Sequence, residues 1–245
     1  MKLIQLNIWD GSLLRNAIKF LEKEDADIVN LQEVSMGMKQ SDSEFFSVYD
    51  ALQNALGYQY GFYSPQAESS FAGYSVYLGQ LILSKYPIVC KSVVYMNGKP
   101  RKNSTLSTAD LNLRLLQHAR IDINGKIVND LNHHGLFVWG TKMGNKTTES
   151  HQKKISRYLN TINQGERIIL TGDFNLAPRS RSLGFITKNY TNLVLKYKIK
   201  TTRNELSVPK EPVDNIFVNP TVKVRSLRVP KLYVSDHLPL IMEFD

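Results

Sequence analysis

Hydrophobic residues occur along this chain mainly in short runs that end abruptly in polar residues, a pattern typical of buried β-strands. These runs predict strands at residues 2–8, 28–31, 58–63, 80–84, 89–95, 117–123, 126–131, 167–171, 213–218, 222–227 and 238–244. Helical spacing of hydrophobic residues predicts helices at residues 12–21, 44–56 and 147–163. Many strands with few helices indicate two packed sheets covered by helices. The strand–helix–strand order near residue 1 recurs near residue 130, which suggests two similar halves.

Local signals define several boundaries of these elements. Ser12 is the expected N-cap of the first helix, and Gly57 is expected to end the second. The Asn124-Gly125 pair between two strands is typical of a tight hairpin turn. Residues 98–108 are polar and basic and are expected to form a loop.

The composition excludes several classes of protein. With 42% hydrophobic and 22% charged residues, the chain is neither disordered nor fibrous, and we expect residues 1–245 to form a single domain. A single cysteine, Cys90, excludes an intramolecular disulfide and suits a reducing compartment. No run approaches the roughly eighteen apolar residues of a transmembrane helix, and the first residues turn polar too soon for a signal peptide. We therefore expect a cytoplasmic protein and, as the simplest state, a monomer.

Charge gives the first indication of a partner. Lys and Arg number 31 against 22 Asp and Glu, a net charge of +9, which favours a polyanion such as nucleic acid. Many basic residues lie outside the hydrophobic runs, among them Arg179 and Arg181 in the loop after Asn175, and the alternating Lys196, Lys198 and Lys200 are expected to face one side of a strand. A rim of such residues would follow a phosphate backbone without reading base sequence.

Polar side chains with catalytic potential follow the hydrophobic strands. The segments concerned are residues 6–9, 29–34, 132–135, 169–175 and 234–239, and Asp214 begins a further strand. Because strand ends at one edge of a sheet converge, these segments are expected to meet at a ligand site. Carboxylates beside apolar strands are costly unless they are paired, hydrogen-bonded or bound to metal. Oxygen ligands with few histidines suit Mg²⁺, Mn²⁺ or Ca²⁺ better than zinc.

These motifs, in this order, resemble those of the endonuclease/exonuclease/phosphatase superfamily, the DNase I-like hydrolases, over nearly the whole chain. The matching pieces are Leu-Asn-Ile-Trp at 6–9, Leu-Gln-Glu-Val at 31–34, Leu-Ile-Leu-Ser-Lys-Tyr-Pro-Ile at 81–88, Asn-His-His-Gly at 132–135, Thr-Gly-Asp-Phe-Asn at 171–175, Val-Asp-Asn-Ile-Phe-Val at 213–218 and Ser-Asp-His-Leu-Pro-Leu at 235–240. The resemblance implies a four-layered α/β sandwich, with two mixed sheets face to face and helices outside. It also implies metal-dependent hydrolysis of phosphoesters, with Mg²⁺ or Mn²⁺ as cofactor.

The resemblance assigns roles to eight residues. Glu33 is implied as the main metal ligand, with Asn7 and Asp236 near the ion. The implied catalytic residues are His134, Asp173, Asn175, Asp214 and His237. Among these, Asp173 would orient or deprotonate the attacking water with Asn175 beside it. His134 and His237 would contact the phosphate, and Asp214 would be the carboxylate partner of His237.

Some positions depart from the pattern of the abasic-site endonuclease branch. That branch usually has a tyrosine where this chain has His134, which favours the DNase I-like and small-substrate branches. Its acidic residue two positions after the first asparagine is replaced by Trp9, so Asp10 is either a residue that reaches the ion or a turn residue before Gly11. Tyr77 resembles a backbone-contacting tyrosine of nucleases and is otherwise a core or rim residue.

The predicted function is a metal-dependent phosphodiesterase of the nuclease type acting on DNA or RNA. The alternative in the same reaction class is a phosphatase or phospholipase acting on a small phosphorylated molecule or a lipid headgroup. A catalytically inactive binding module is a third hypothesis. The complete set of motif residues argues against it, because loss of Glu33, Asp173 or His237 would be expected in such a module.

Overall fold

Two six-stranded sheets face each other in the computed structural model and carry helices on their outer sides. The structure describes residues 1–37, 47–71, 74–98, 113–140, 142–208 and 211–245. The strands are β1 (Lys2–Asn7), β2 (Ile28–Gly37), β3 (Tyr60–Phe71), β4 (Tyr74–Ser84), β5 (Ile88–Asn97), β6 (Arg114–Ile123), β7 (Lys126–His134), β8 (Arg167–Asp173), β9 (Thr191–Asn192), β10 (Asp214–Val218), β11 (Val224–Arg228) and β12 (Leu240–Phe244). The α-helices are α1 (Leu14–Glu24), α2 (Val48–Leu56), α3 (Lys146–Ile162), α4 (Gly184–Thr187) and α5 (Leu193–Lys196).

Both sheets are mixed, which confirms the predicted four-layered α/β sandwich. The first sheet has the order β11-β12-β1-β2-β4-β3 and the second the order β5-β6-β7-β8-β10-β9. In each sheet the two central strands are parallel, β1 beside β2 and β7 beside β8, and the neighbouring strands run antiparallel. A helix connects each parallel pair, α1 in one sheet and α3 in the other, so the two halves are similar as the sequence indicated.

Successive side chains along a strand point to opposite faces of the sheet, so the hydrophobic residues form three apolar layers, one between the two sheets and one on the outer side of each sheet. Leu3 of β1 points between the sheets, where it packs with residues of the second sheet such as Ile169. Ile4 and Leu6 point the other way, against α1 and α2. An equivalent outer layer lies between the second sheet and α3, where Ile155 is fully buried. This arrangement explains why the strands read as nearly continuous hydrophobic runs, since both of their faces are covered.

Most sequence-predicted elements are confirmed, and two local expectations are wrong. Ser12 does not cap α1, because the N-cap is Leu13 and no side-chain cap hydrogen bond forms there. Lys196, Lys198 and Lys200 do not lie on a strand, since α5 ends at Lys196 and Lys198 adopts a left-handed conformation. The start of the predicted helix at 44–56 and nearly all of the predicted loop at 98–108 lie outside the described residues.

Amide side chains replace apolar ones on the inner faces near one edge of the sheets. Gln5 donates to Gln32, Gln32 donates to Asn132, and Asn132 donates to Gln117, at N···O distances of 2.9, 2.7 and 3.0 Å. These bonds link strands β1, β2, β7 and β6 across the space between the sheets. Because a buried amide must be hydrogen-bonded to be tolerated, the chain of amides holds the two sheets in one relative position. Gln5 also donates to Asp214 at 3.0 Å, so the chain reaches the edge described below.

No α-helix within the described ranges is both long and apolar enough to cross a membrane.

Two buried histidines, His133 on β7 and His151 on α3, make the free energy of unfolding depend on pH. His133 Nε2 lies 3.2 Å from His151 Nε2, and His133 Nδ1 faces the Leu115 carbonyl oxygen. Burial lowers the pKa of His133 well below its ordinary value. Burial, with smaller contributions from Arg114 and Lys154, lowers the pKa of His151 to about 3. Both imidazoles are therefore neutral in the folded protein, whereas in the unfolded chain each takes up a proton near pH 6.5.

For these two histidines only the unfolded state gains protons as the pH is lowered through 6.5, so their contribution lowers the free energy of unfolding, whereas the raised pKa values of Glu33 and Asp10 act in the opposite direction. Each histidine that stays neutral contributes a loss of about 2 kcal/mol between pH 7 and pH 5. Urea denaturation at both pH values should show a smaller loss in His151→Gln than in the wild-type protein. Identical pH dependence in the two proteins would contradict this assignment, since all other titrating groups are shared.

Candidate active site

The predicted site residues converge at one edge of the two sheets, where several strands end or begin. Asn7 ends β1, His134 ends β7, Asp173 ends β8, and Asp214 begins β10. Pairing places His134 opposite Asp173 in the parallel ladder and Asp173 opposite Asp214 in the antiparallel one. The convergence follows from strand register, because parallel strands bring their carboxyl ends to the same edge.

Glu33 reaches this edge through a β-bulge. The pairing of β2 with β4 shifts between Gln32 and Val34, and Glu33 itself has a positive φ of 57°. A bulge re-aims a side chain that regular alternation would place on one face of the sheet. Here the Glu33 carboxylate accepts a hydrogen bond from Asn7 Nδ2 at 2.9 Å.

One oxygen of Asp173 occupies the centre of the site. Its Oδ2 atom lies 3.3 Å from Asn7 Nδ2 and 3.8 Å from both His134 Nε2 and His237 Nε2. The distance to the two imidazoles is too long for a direct hydrogen bond, so neither ring occupies the acceptor positions of Oδ2 and this oxygen can accept from another donor such as water. The other oxygen, Oδ1, accepts from the Asn175 backbone N–H at 2.8 Å, which fixes the orientation of the carboxylate.

His237 is held by a buried carboxylate. Its Nδ1 donates to Asp214 Oδ2 at 2.9 Å, which directs Nε2 toward Asp173. Asp214 also accepts from Thr202 Oγ1 at 2.5 Å and from Gln5 Nε2 at 3.0 Å. Burial lowers the pKa of His237, but the carboxylates of Asp214 and Asp173 outweigh burial and raise the pKa to about 9. His237 is therefore an imidazolium at neutral pH.

His134 differs from His237 in protonation although both are buried. Burial, together with the charge of Arg114, lowers the pKa of His134 to about 3. Its Nε2 lies 3.7 Å from Glu33 Oε1 and has no carboxylate as close as the one that holds His237. The site thus presents one charged and one neutral imidazole to the same space.

Three carboxylates form a separate acidic group beside Asn7. Burial and the charge of Asp10 raise the pKa of Glu33 to about 7, and burial and the charge of Asp236 raise the pKa of Asp10 to about 6. Asp10 Oδ1 is buried without a hydrogen-bond partner. Carboxylates that repel one another, together with a buried oxygen that lacks a partner, fit a divalent cation that takes oxygen ligands. Such a cation would offset both the repulsion between the carboxylates and the cost of burying the oxygen.

Asp10 thus belongs to the site rather than to an ordinary surface turn. It lies in a 3₁₀ turn, Trp9–Gly11, in which all three residues have positive φ. A left-handed conformation costs a non-glycine residue about 1–2 kcal/mol, and such strain is concentrated at functional sites. The backbone N–H of Trp9 donates to Asn7 Oδ1 at 3.0 Å, which ties the turn to β1.

A second cluster of potential ligands has a different character. Ligand atoms of Asp173, Asp214 and His237 lie within 4.8 Å of one another. Because His237 already donates to Asp214, and its positive charge lies close to both carboxylates, this cluster is suited to orienting an imidazolium. The group of Glu33, Asp10 and Asp236 therefore fits a cation better than this cluster does.

Three buried basic residues near the site were not identified from the sequence. Arg114, Lys142 and Arg203 are each more than nine-tenths buried. The charges of Glu33 and Asp173 act on Arg114, whose Nε donates to the Gly135 carbonyl. Arg114 could have been identified from the sequence because it directly precedes two leucines at the start of β6. No local pattern marks Lys142 and Arg203, which lie in loops, whereas the predicted rim residues Arg179 and Arg181 are exposed.

Asn175 and Gly135 bring two loops together at the site. Gly135 N donates to the Asp173 carbonyl at 2.6 Å, and Asn175 Nδ2 lies 3.5 Å from the Gly135 oxygen. A methyl group on Gly135 would lie 2.2 Å from the Phe174 carbonyl oxygen. The close approach of these two backbones therefore requires glycine at this position.

We expect Gly135→Ala to destabilise the protein by about 1–3 kcal/mol and to reduce activity, because the loop after His134 must move away from Asp173. Gly184→Ala is the matched control, since a methyl group there contacts nothing within 4 Å and φ is −56°. That control should be neutral or stabilising in urea denaturation. Equal stability of the two variants would contradict the packing argument.

Comparison with known proteins shows which family the chain belongs to. A family model described as "Endonuclease/Exonuclease/phosphatase family" matches residues 4–237. A search of curated proteins finds no match. Solved structures provide many similar folds, of which three illustrate the range.

An endonuclease/exonuclease/phosphatase from Bacteroides vulgatus has 22% identity and a TM-score of 0.75, covering 100% of this chain and 98% of that one. A mannosyl-6-phosphatase from Bacteroides thetaiotaomicron has 16% identity and a TM-score of 0.71, with 100% and 99% covered. D. rerio TDP2 complexed with single-strand DNA product has 15% identity and a TM-score of 0.70, with 100% and 98% covered. At these identities the likeness shows the shared fold, while the match of residues 4–237 shows that this chain belongs to the endonuclease/exonuclease/phosphatase family of phosphoester hydrolases.

Proposed function

We propose that this chain hydrolyses phosphodiester bonds in DNA or RNA, with Mg²⁺ or Mn²⁺ as cofactor. The observation that carries the proposal is the placement of Asp173 Oδ2 within 3.3–3.8 Å of Asn7, His134 and His237. A carboxylate oxygen near an asparagine amide and two imidazoles, neither of which donates to it directly, is suited to direct water at a phosphorus atom.

In this proposal Asp173 orients the attacking water and accepts its proton as the new P–O bond forms. Burial raises the pKa of Asp173, but the charge of His237 and other nearby cations lower it to about 2, so the carboxylate is ionised at neutral pH. The backbone N–H of Asn175 keeps Oδ1 occupied and leaves Oδ2 for the water. The reaction breaks the P–O bond to the leaving group on the opposite side of the phosphorus.

His237 and His134 bind the non-bridging phosphate oxygens. Charge accumulates on these oxygens in the transition state, and a preorganised imidazolium stabilises it. Asp214, Thr202 and Gln5 keep the His237 ring in position, since all three belong to one buried hydrogen-bonded group. Asn7 donates its amide protons to Glu33 and Asp173 and so links the two parts of the site.

Glu33, Asp10 and Asp236 would hold the divalent cation, with Asn7 beside them. The chemistry that a bound cation supplies there is positive charge for the phosphate and the leaving oxygen.

Three observations support a polynucleotide substrate over a small phosphorylated molecule. The net charge is +9, and exposed Arg179 and Arg181 follow the strand that carries Asp173. Three buried cations adjoin the site. D. rerio TDP2, which shares the fold, was crystallised with a single-strand DNA product. The alternative is a phosphatase or phospholipase acting on a small phosphorylated molecule or lipid headgroup, and the same fold occurs in a mannosyl-6-phosphatase.

A substrate panel with and without EDTA tests the proposal. Plasmid DNA, single-stranded DNA, RNA, a sugar phosphate and sphingomyelin are incubated with the protein and Mg²⁺ or Mn²⁺, and Asp173→Asn serves as the inactive control. We expect nucleic acid cleavage that requires the metal and declines steeply with salt, since phosphate contacts release counterions. Release of phosphate from the sugar phosphate, with nucleic acids left intact, would replace the nuclease assignment with the alternative.

The cytoplasmic location, the monomeric state and the single domain at 1–245 remain predictions from the sequence. Size-exclusion chromatography with light scattering would test the second of them.

A further inference from the structure

Two buried cations lie beside the catalytic centre without an ion-paired carboxylate in the part of the chain that the structure describes. Arg203 is 8% and Lys142 is 5% exposed, and Arg203 Nε is buried without a hydrogen-bond partner. Among the described residues, neither side chain forms a salt bridge. Burial of an unpaired charge costs several kcal/mol, so proteins retain such groups where a ligand supplies the opposite charge.

The backbone positions both cations next to Asp173. Arg203 forms an isolated antiparallel bridge with His237, so the two residues are neighbours across the site. The Lys142 carbonyl accepts from Ala177 N at 2.8 Å, which ties this residue to the loop that follows Asp173. These anchors fix the main chain at both residues, and burial to 5% and 8% exposure restricts the side chains that carry the charges.

Electrostatics agree with this placement. Burial lowers the pKa of the Lys142 ammonium, the charge of Arg203 lowers it further, and the charges of Asp173 and Glu211 oppose both. Glu211 is exposed and therefore screened by solvent, and the single charge of Asp173 is shared between His237 and the two cations. The pair of cations thus has charge to spare for a substrate anion.

An aromatic pair continues from Lys142 to the surface. Lys142 Nζ lies 4.6 Å from the centre of the Phe137 ring, and the Trp139 ring packs edge-to-face on Phe137 with centres 5.0 Å apart. Trp139 is 81% exposed. An exposed indole beside a buried cation resembles the combination with which proteins hold a nucleotide, the cation on a phosphate and the ring on a base.

We propose that Lys142 and Arg203 bind a second phosphate of the substrate, adjacent to the one that is cleaved, and that Trp139 stacks on the base of the same nucleotide. The inference rests on the proposed nuclease function and narrows it to substrates with at least two neighbouring phosphates. It also explains why cations occupy these loops although no described carboxylate pairs with them.

Binding of two small probes tests the second phosphate directly. Thymidine 3′,5′-bisphosphate and thymidine 5′-monophosphate are titrated by calorimetry in the presence of Mg²⁺, with wild-type protein and with Lys142→Met and Arg203→Met. We expect the wild-type protein to prefer the bisphosphate by about tenfold or more, the size of one charge-assisted contact. Each variant should lose most of this preference while its affinity for the monophosphate changes less than about threefold.

Further variants separate charge from structure. Arg203→Lys should retain part of the preference because it keeps the charge, and Lys19→Met, an exposed lysine of α1, should retain all of it. Trp139→Ala should weaken both probes equally, by about 5- to 150-fold, because stacking does not involve the second phosphate. Circular dichroism and thermal melting check that each variant folds, and Arg203→Lys keeps the test valid if a methionine variant does not.

The outcomes distinguish this inference from the proposed function. No preference for the bisphosphate in the wild-type protein, or an undiminished preference in both methionine variants, would overturn the second-phosphate site even if oligonucleotides are cleaved. A preference that depends on Lys142 and Arg203, in a protein that cleaves no oligonucleotide, would support the anion site and reject the nuclease function.

Discussion

Asp173→Asn should lower the turnover number by about 10²–10⁴-fold, the usual contribution of a general base, without unfolding the protein. The amide has the size of the carboxylate and can still accept the Asn175 N–H through its oxygen. It cannot accept a proton from water. It also removes one of the carboxylates that raise the pKa of His237, so the imidazolium should titrate at lower pH.

The measurement is steady-state hydrolysis of the best substrate from the panel, with the pH profile of the residual activity. Asp50→Asn is the matched control, because Asp50 is an exposed residue of α2 and the same chemical change there should leave activity unaltered. NMR titration of the His237 ring in Asp173→Asn reports the pKa shift separately from turnover. A variant with near wild-type turnover would show that another group activates the water.

Glu33→Gln should have the second large effect, a loss of divalent-cation affinity. Substitution of residues that merely support metal ligands costs about 10–100-fold in affinity, so loss of a ligand carboxylate should cost at least the upper value. The amide retains the size of the side chain and can accept from Asn7 Nδ2. Calorimetric titration of the metal-free protein with Mn²⁺ measures the change.

The same substitution should stabilise the metal-free protein at pH 8. Burial and the charge of Asp10 raise the pKa of Glu33 to about 7 from 4.5, so the free energy of unfolding falls as the pH rises from 4.5 to 7, and the full penalty is present at pH 8. A neutral amide removes this penalty. Opposite changes in metal affinity and in the free energy of unfolding are the expected signature of a cation site. Glu22→Gln, on the exposed face of α1, should alter neither quantity, and unchanged Mn²⁺ affinity in Glu33→Gln would exclude Glu33 as a ligand.

Local sequence patterns predicted most of the fold. Strands covered on both faces produce continuous hydrophobic runs, and the polar residue that ends each run marks the edge of the sheet, as Asp173 does at the end of β8. The same patterns failed where conformation depends on distant contacts. Glu33 was expected to follow a short strand, but β2 continues to Gly37 through a bulge that only its pairing with β4 reveals.

The candidate site was predicted in part. The resemblance to a known family assigned Asn7, Glu33, Asp173, Asp214 and His237, and the structure places these side chains together at one edge. Asp10 remained undecided between two interpretations until its burial among carboxylates was seen. Lys142 and Arg203 have no local pattern that separates them from solvated loop residues, so their burial could not be foreseen.

From the amino-acid sequence alone we could predict which motif follows each strand along the chain and which kinds of side chain meet at the sheet edge. Hydrophobic periodicity and turn chemistry depend on neighbours a few residues away, so they can be read along the chain. The tertiary structure was needed to see which histidine is charged, which carboxylates lie together as possible cation ligands, and which basic residues are buried. Those properties depend on desolvation and on through-space charges from residues far apart in sequence, as Asp214 and Asp173 act on His237.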